Sequence, residues 1–307
     1  MPIVIPKDIP AYKVLTDENI FVMTHKRAIT QDIRPIEIAI LNLMPTKIET
    51  ETQLMRLLSN SPLQMNLTLL NTATYESKHV SKAHLEKFYK SFNEVKHNNY
   101  DGMIITGAPV EILSFEDVRY WEELTQIFDF AKRHVTSTIF ICWGAQAALY
   151  YYYGINKKAL PNKISGVYEH RLLTPYDPLM KGMDDLFFMP HSRYTESDSE
   201  AIRKCKDIAV MAESDKAGLA ILKSKDSRQV YIFGHCEYDR DTLLYEYERD
   251  IGKGFKIDPP ENYFTDFEKR EVTVRWKSAA NVMFTNWLNY YVYQVTPYNL
   301  EEISTAP

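Results

Sequence analysis

A chain of 307 residues, 45% of them hydrophobic, is long enough to bury a sizeable core, and α/β folds of this size are often one unit. A formal net charge of −5 without a basic stripe argues against nucleic acid, and no apolar run reaches membrane-spanning length. Three cysteines, an odd count without framework spacing, point to a reducing compartment; Met1 to Pro10 shows no signal-peptide pattern, so a soluble cytoplasmic protein is expected.

Residues 1–34, with their prolines and mixed charge, read as an irregular lead-in, 35–300 as a single α/β domain and 301–307 as a tail. Ile36 to Leu43 is strand-like, and a helix is expected from Thr46 towards Asn60. Thr46 and Glu49 stand at the spacing of a capping box. Lys47 at that helix start opposes the helix dipole, so it is either a solvent-facing lysine or a functional one facing a site. Leu63 to Leu70 gives a second strand and Lys82 to Lys96 a charged helix. Asp101 to Glu111 reads as a strand ending in the turn Gly107-Ala108-Pro109, whose N–H groups can face a ligand. Glu116 to His134 carries the apolar stripe of a long helix.

Thr138 to Ala148 is the most informative stretch. A β-branched apolar run stops at Cys142, and good helix formers begin at once. A sharp strand-to-helix turn pushes a side chain out of the sheet, and a helix N-terminus favours a thiolate. Gly144 leaves room for a substrate to approach. A buried inert cysteine is the alternative. Four strands alternating with helices to this point indicate βαβ units and a parallel sheet covered on both faces.

Further on, Lys163 to Leu173 reads as extended and Met189 to Tyr194 as a polar, proline-broken loop. Ile208 to Met211, Gly218 to Leu222 and Val230 to Gly234 are short strands at hairpin-like spacing. The last is followed by His235-Cys236-Glu237. Side chains two apart on a strand share a face, so His235 and Glu237 suit a base and its orienting carboxylate for Cys142. A metal site lacks further ligands at coordination spacing, and none is expected. Thr242 to Ile251 is a helix placing Glu246 and Arg249 on one face, where a surface ion pair is the plain alternative to a ligand contact. Ser278 to Val292 reads as an aromatic-rich core helix.

Cys142-x-Gly144-x-Gln146 with His235-x-Glu237 resembles the triad of class I glutamine amidotransferases, and Gly107-Ala108-Pro109 their oxyanion turn. Ile141 departs from the glycine usual there. A closer likeness runs through Asn42 to Glu51, Phe140 to Ala147, Met189 to Arg193 and Phe233 to Asp239, which resemble the homoserine O-acyltransferases of methionine biosynthesis. The resemblance implies an α/β fold with a mostly parallel central sheet of the class I amidotransferase kind. It implies ping-pong acyl transfer from acyl-CoA to the hydroxyl of L-homoserine through a Cys142 thioester, with His235 as base and Glu237 orienting it. Lys163, Ser192 and Arg249 would line the homoserine site and Lys47 would sit near the reacting carbonyl.

Glu111 falls at the position where, by the same likeness, glycine goes with succinyl-CoA and glutamate with acetyl-CoA. Acetyl-CoA is therefore the expected donor, a co-substrate rather than a cofactor. Arg249 offers a planar fork for the α-carboxylate, and Glu246, one turn away, is placed to receive the amino group. Succinyl transfer by the same chemistry, and a non-catalytic binding protein on this fold, are the competing readings. No nucleic-acid or membrane partner is expected, and a homodimer is allowed.

Overall fold

The structure is a computed structural model describing residues 3–18, 20, 22–28, 34–72, 80–297, 300 and 303. Strand β1 (Ile3–Val4) and helices α1 (Pro10–Asp17) and α2 (His25–Ala28) precede β2 (Ile36–Leu41), α3 (Lys47–Leu58) and β3 (Met65–Asn71). Next come α4 (Lys82–Phe88), β4 (Tyr89–Ser91), α5 (Phe92–Val95), β5 (Tyr100–Ile105), α6 (Trp121–His134), β6 (Val135–Ile141) and α7 (Trp143–Tyr153). They are followed by β7 (Lys157–Leu172), β8 (Leu186–Ser197), α8 (Ser199–Lys204), β9 (Ile208–Ser214), β10 (Gly218–Ser224) and β11 (Gln229–Ile232). Last are α9 (Thr242–Gly252), a ribbon of β12 (Phe264–Asp266) and β13 (Glu271–Val272), α10 (Lys277–Asn286), and π-helical turns over Trp287–Tyr293.

Among the described residues the strands form an eleven-stranded sheet in the order β1-β3-β2-β5-β6-β11-β10-β9-β7-β8, with β4 beside β3. From β1 to β11 the pairings are parallel; β10, β9, β7 and β8 extend the sheet antiparallel. Alternate side chains of the central strands enter two separate cores. Ile38, Ile40, Ile104 and Ile139 join α1, α3 and α10 on one face. Ala39, Leu41, Met103, Ile105 and Phe140 join α6 and α7 on the other. Strands buried on both faces have no polar side to show, which is why they read as continuous apolar runs. The consequence for function is that β2, β5, β6 and β11 run side by side in one direction, so the loops after their C-terminal ends gather at one edge. Among the described residues no helix is long and apolar enough to cross a membrane.

Five expectations are corrected. The lead-in is not irregular: β1 pairs with β3, and Ile3, Ile5, Ala11 and Leu15 enter the core. The helix expected over Lys82–Lys96 is broken by β4, whose Tyr89 turns inward to hydrogen-bond Glu51 at 2.6 Å; Ser91 then restarts a helix, with Glu94 accepting from its N–H at 2.7 Å. The long helix begins at Trp121 instead of Glu116, because Phe115, Val118 and Tyr120 bury themselves in the turns before it. Met189 to Tyr194 is not a loop but part of β8. That strand ends the sheet order, and an edge strand tolerates the N–H that Pro190 lacks. Thr46, finally, makes no side-chain cap at α3; Glu49 instead accepts from Gln53 and Thr242.

Gly102 on β5 is a point of close packing, where a Cβ would lie 2.8 Å from Ile38 Cδ1. A Cβ there would lie 2.9 Å from the ring of Trp287, whose Nε1 donates to Ser137 Oγ at 2.9 Å. Gly102→Ala must push this fully buried indole aside. Its urea midpoint is expected to fall with unchanged slope, by an overpacking cost of about 1–3 kcal/mol; an unchanged midpoint contradicts the packing described.

Candidate functional site

Cys142 caps α7 with φ 50° and ψ −116°, a backbone that a side chain rarely adopts. The turn is held from three sides. Cys142 N–H donates to Ile232 O of β11 at 2.7 Å, while Ala145 and Gln146 N–H return to Cys142 O. A Cβ on Gly144 would sit 2.6 Å from Thr106 O, and one on Gly107 would sit 3.2 Å from Cys142 Cβ. The two glycines therefore let β5 and its following turn close onto the Cys142 turn. Cys142 is 7% exposed and stands at the N-terminus of α7.

His235 faces Cys142, and its Nδ1 lies 2.7 Å from Glu237 Oε1, so Nε2 is the nitrogen turned to the sulfur. Burial alone would depress the imidazole pKa. The Cys142 sulfur and the Glu237 carboxylate outweigh it and hold His235 well above its ordinary value. The expected pairing is present, but not on a strand: β11 stops at Ile232, and both residues stand on the turn that follows. What fixes that turn is His235 N–H donating to Pro190 O at 2.8 Å, and Gly234, where a Cβ would meet Pro190 O at 2.7 Å. Tyr238 stacks on the imidazole with ring centroids 4.1 Å apart. Glu237 Oε2 is buried without a partner. Cys236 packs its sulfur against Met189, and burial pushes its thiol up.

Lys47 is 6% exposed and donates to Asn42 O. Burial drops its ammonium to about 8, with Glu51 opposing. Asn42 Nδ2 donates to Tyr89 Oη at 2.9 Å, and Tyr89 to Glu51, so Lys47 stands on a buried polar network at the end of β2.

Glu111 lies in the segment after the Gly107 turn. Its Oε2 accepts from Tyr194 N–H at 2.8 Å, Thr195 N–H at 3.2 Å and Thr195 Oγ1 at 3.2 Å, sealing the free edge of β8. Burial raises its pKa and these donors oppose the rise. Lys157 donates to Glu111 O and Leu113 O, both at 2.6 Å, fixing the segment from its other side.

Lys163, Arg249 and Glu246 come together around two residues that sequence reasoning missed. Asp250 accepts from Lys163 Nζ at 2.7 Å and from Arg249 Nε at 2.8 Å. Burial would raise its carboxyl, but those two cations keep it below the usual carboxylate range. Tyr238 Oη donates to Glu246 Oε1 at 3.0 Å, which leaves Glu246 Oε2 buried and unpartnered. Arg249 Nη1 is 3.9 Å from Glu246, so the surface pair considered from the sequence is loose. Ser192 is half-buried on β8, two residues from Tyr194 and hence on its face; Tyr194 Oη reaches Asp250 at 3.5 Å. An acid in the last turn of a helix, against its dipole and beside an arginine, was the one available signal for Asp250. Among the described residues no group of three or more His, Cys, Asp or Glu side chains is arranged to hold a metal.

Solved structures share this architecture. A glutamine amidotransferase from Thermotoga maritima superposes with a TM-score of 0.58 at 13% identity, covering 85% of this chain and 100% of that one. One from Methylobacillus flagellatus gives 0.54 at 13%, covering 84% and 95%. These show the class I amidotransferase-like fold. Relatives in sequence are far nearer. A protein of Petrotoga mobilis named homoserine O-acetyltransferase is 56% identical, covering 100% of this chain and 99% of its own length. One of Lachnospira eligens with that name is 54% identical over 98% of each, and one of a Geobacillus species is 55% identical over 98% of this chain and 100% of its own. A family model described as homoserine O-succinyltransferase matches residues 2–298. With that match spanning nearly every element described above, the chain belongs to the homoserine O-acyltransferase family.

Proposed function

We propose that the protein transfers an acetyl group from acetyl-CoA to the hydroxyl of L-homoserine through a thioester on Cys142. The observation that carries this reading is the Cys142–His235–Glu237 set opening beside a cluster of two cations and an unpartnered carboxylate oxygen. His235 takes the thiol proton, and the sulfur attacks the thioester carbonyl. The oxyanion meets the first N–H groups of α7 and the Gly107 turn, with Lys47 nearby. The CoA thiolate leaves with the proton from His235. In the second half-reaction His235 draws the proton from the homoserine hydroxyl, whose oxygen attacks the acyl carbon and frees Cys142.

An α-amino acid is a zwitterion, and the acceptor cluster is its complement. Arg249 and Lys163 serve the carboxylate, with Ser192 beside them. Glu246 Oε2 is a buried acceptor with nothing bonded to it, a costly arrangement that an ammonium group relieves. The non-catalytic alternative gives no reason for a strained cysteine aligned with an ordered base.

The choice of acyl group rests on Glu111. Its carboxylate fills a cradle of two N–H groups and a hydroxyl. A succinyl carboxylate arriving there meets a like charge; at an effective dielectric near 20 and about 4 Å, the repulsion is roughly 4 kcal/mol before solvent reduces it. The acetyl group brings no charge.

Two outcomes are expected. Acetyl-CoA supplied without homoserine leaves an acetyl increment on the Cys142 peptide by mass spectrometry, and Cys142→Ala abolishes turnover; full turnover by that variant contradicts the covalent route. Glu111→Gly raises the succinyl-CoA to acetyl-CoA ratio in kcat/KM by about two orders of magnitude, since it empties the cradle for the incoming carboxylate. Glu111→Gln keeps the bulk and removes the charge, so the smaller rise expected there separates repulsion from occupancy. A wild type that already prefers succinyl-CoA, or a ratio unchanged in both variants, removes Glu111 as selector.

A further inference from the structure

The function just proposed names the two cations of the acceptor cluster but not what aims them. Arg249 has a side chain 43% exposed, whereas Asp250, the next residue, has a side chain 4% exposed. Neighbouring positions on a helix diverge, so these two do not meet by default. They meet because the guanidinium turns back and gives its Nε–H to Asp250 Oδ1 at 2.8 Å. The other oxygen takes Lys163 Nζ, from β7, at 2.7 Å, with Tyr194 Oη at 3.5 Å. Lys163 is itself 4% exposed on its side chain and lies 5.2 Å from the Tyr194 ring centroid. One carboxylate therefore joins α9 to β7 and β8.

We infer that Asp250 is the positioning residue of the acceptor subsite: by holding Arg249 Nε and Lys163 Nζ at once, it turns their remaining donors towards a single substrate carboxylate. This rests on the reading of Arg249 and Lys163 as homoserine contacts. With Nε occupied, Arg249 keeps both Nη groups, the end-on pair that grips a carboxylate. Lys163 keeps two of its three N–H bonds. Without the shared anion, two cations would face one another and Lys163 would be buried unpaired. The charges of Lys163, Arg249, Asp250 and Glu246 then sum to zero, and a zwitterion occupies the site without adding net charge.

The test measures three quantities on wild type, Asp250→Asn, Arg249→Ala and their double variant: acylation of Cys142 by acetyl-CoA alone, KM for homoserine, and kcat. Asp250→Asn is expected to raise KM for homoserine at least about tenfold, the loss of a charge-assisted contact, while acylation stays within about twofold of wild type. In the Arg249→Ala background the same substitution is expected to add less, because one of the two cations Asp250 acts through is already removed and only Lys163 is left. An equal fall in acylation, or a penalty undiminished in that background, assigns Asp250 to general stability and overturns the inference. If Arg249→Ala raises KM and Asp250→Asn does not, the inference falls alone. If Arg249→Ala leaves KM unchanged, the homoserine reading falls and takes it along. Should Asp250→Asn fail to fold, Asp250→Glu retains the buried charge while displacing it by one methylene, and an unchanged KM there is again contrary.

Discussion

Cys142 keeps a backbone that costs on the order of 1–3 kcal/mol for a residue with a side chain, and the surrounding architecture exists in a form that prevents relaxation. Its N–H is tied to β11, its carbonyl to the first turn of α7, and its Cβ is confined by the Gly107 turn after β5. Three parallel strands must be in register for those contacts to coincide. Ile141 pairs with Ile232 and Phe140 with Ile105, and neither pairing can slip by a residue without exchanging the two buried faces. The Cys142 side chain is thus placed by the registry of the sheet.

Tyr238 links the His235 turn to the cluster of Glu246, Arg249, Asp250 and Lys163. Its ring lies nearly parallel to His235, at 17°, its carbonyl accepts from Trp276 Nε1 at 2.9 Å, and its hydroxyl holds Glu246. A tyrosine fixed at three points carries the geometry of the base to the carboxylate one helix away. It also covers one face of an imidazole whose pKa burial would lower but the Cys142 sulfur and the Glu237 carboxylate raise. The imidazole and that cluster are in this way parts of one packed unit.

Much of this was legible in the sequence, and for identifiable reasons. The stop of an apolar run at Cys142 marks the turn because buried strands and helix starts have opposite compositions. His235 and Glu237 were paired correctly on an incorrect premise: they meet on a turn, where a carbonyl from another strand, Pro190, sets the geometry. Pro190 itself hid β8, since proline marks a break unless the strand is known to be an edge. The resemblance supplied Lys163 and Ser192, which no local pattern singles out; their neighbourhood depends on β7 and β8 pairing across a long connection. Asp250 and Tyr194 stayed invisible because their roles arise only where α9 meets that hairpin. The false cap at Thr46 and the unsuspected Ser91–Glu94 contact show the same limit in small.

Four of the residues discussed above break local rules. Lys47 opposes the dipole at the start of α3, and Asp250 opposes it at the end of α9. Pro190 interrupts a strand, and Cys142 occupies a positive φ. Other element ends follow the ordinary rules: Asp198 caps α8 through two N–H groups, and Gly154 ends α7 in the left-handed conformation. Each exception carries a local cost that must be offset by something specific. Lys47 is offset by Asn42 O and the charge of Glu51, Asp250 by two cations, Pro190 by its carbonyl's bond to His235, and Cys142 by the strands on either side. A folding optimum would discard such exceptions singly. That each exception has its own compensating contact is the pattern expected where a site is built against local preference.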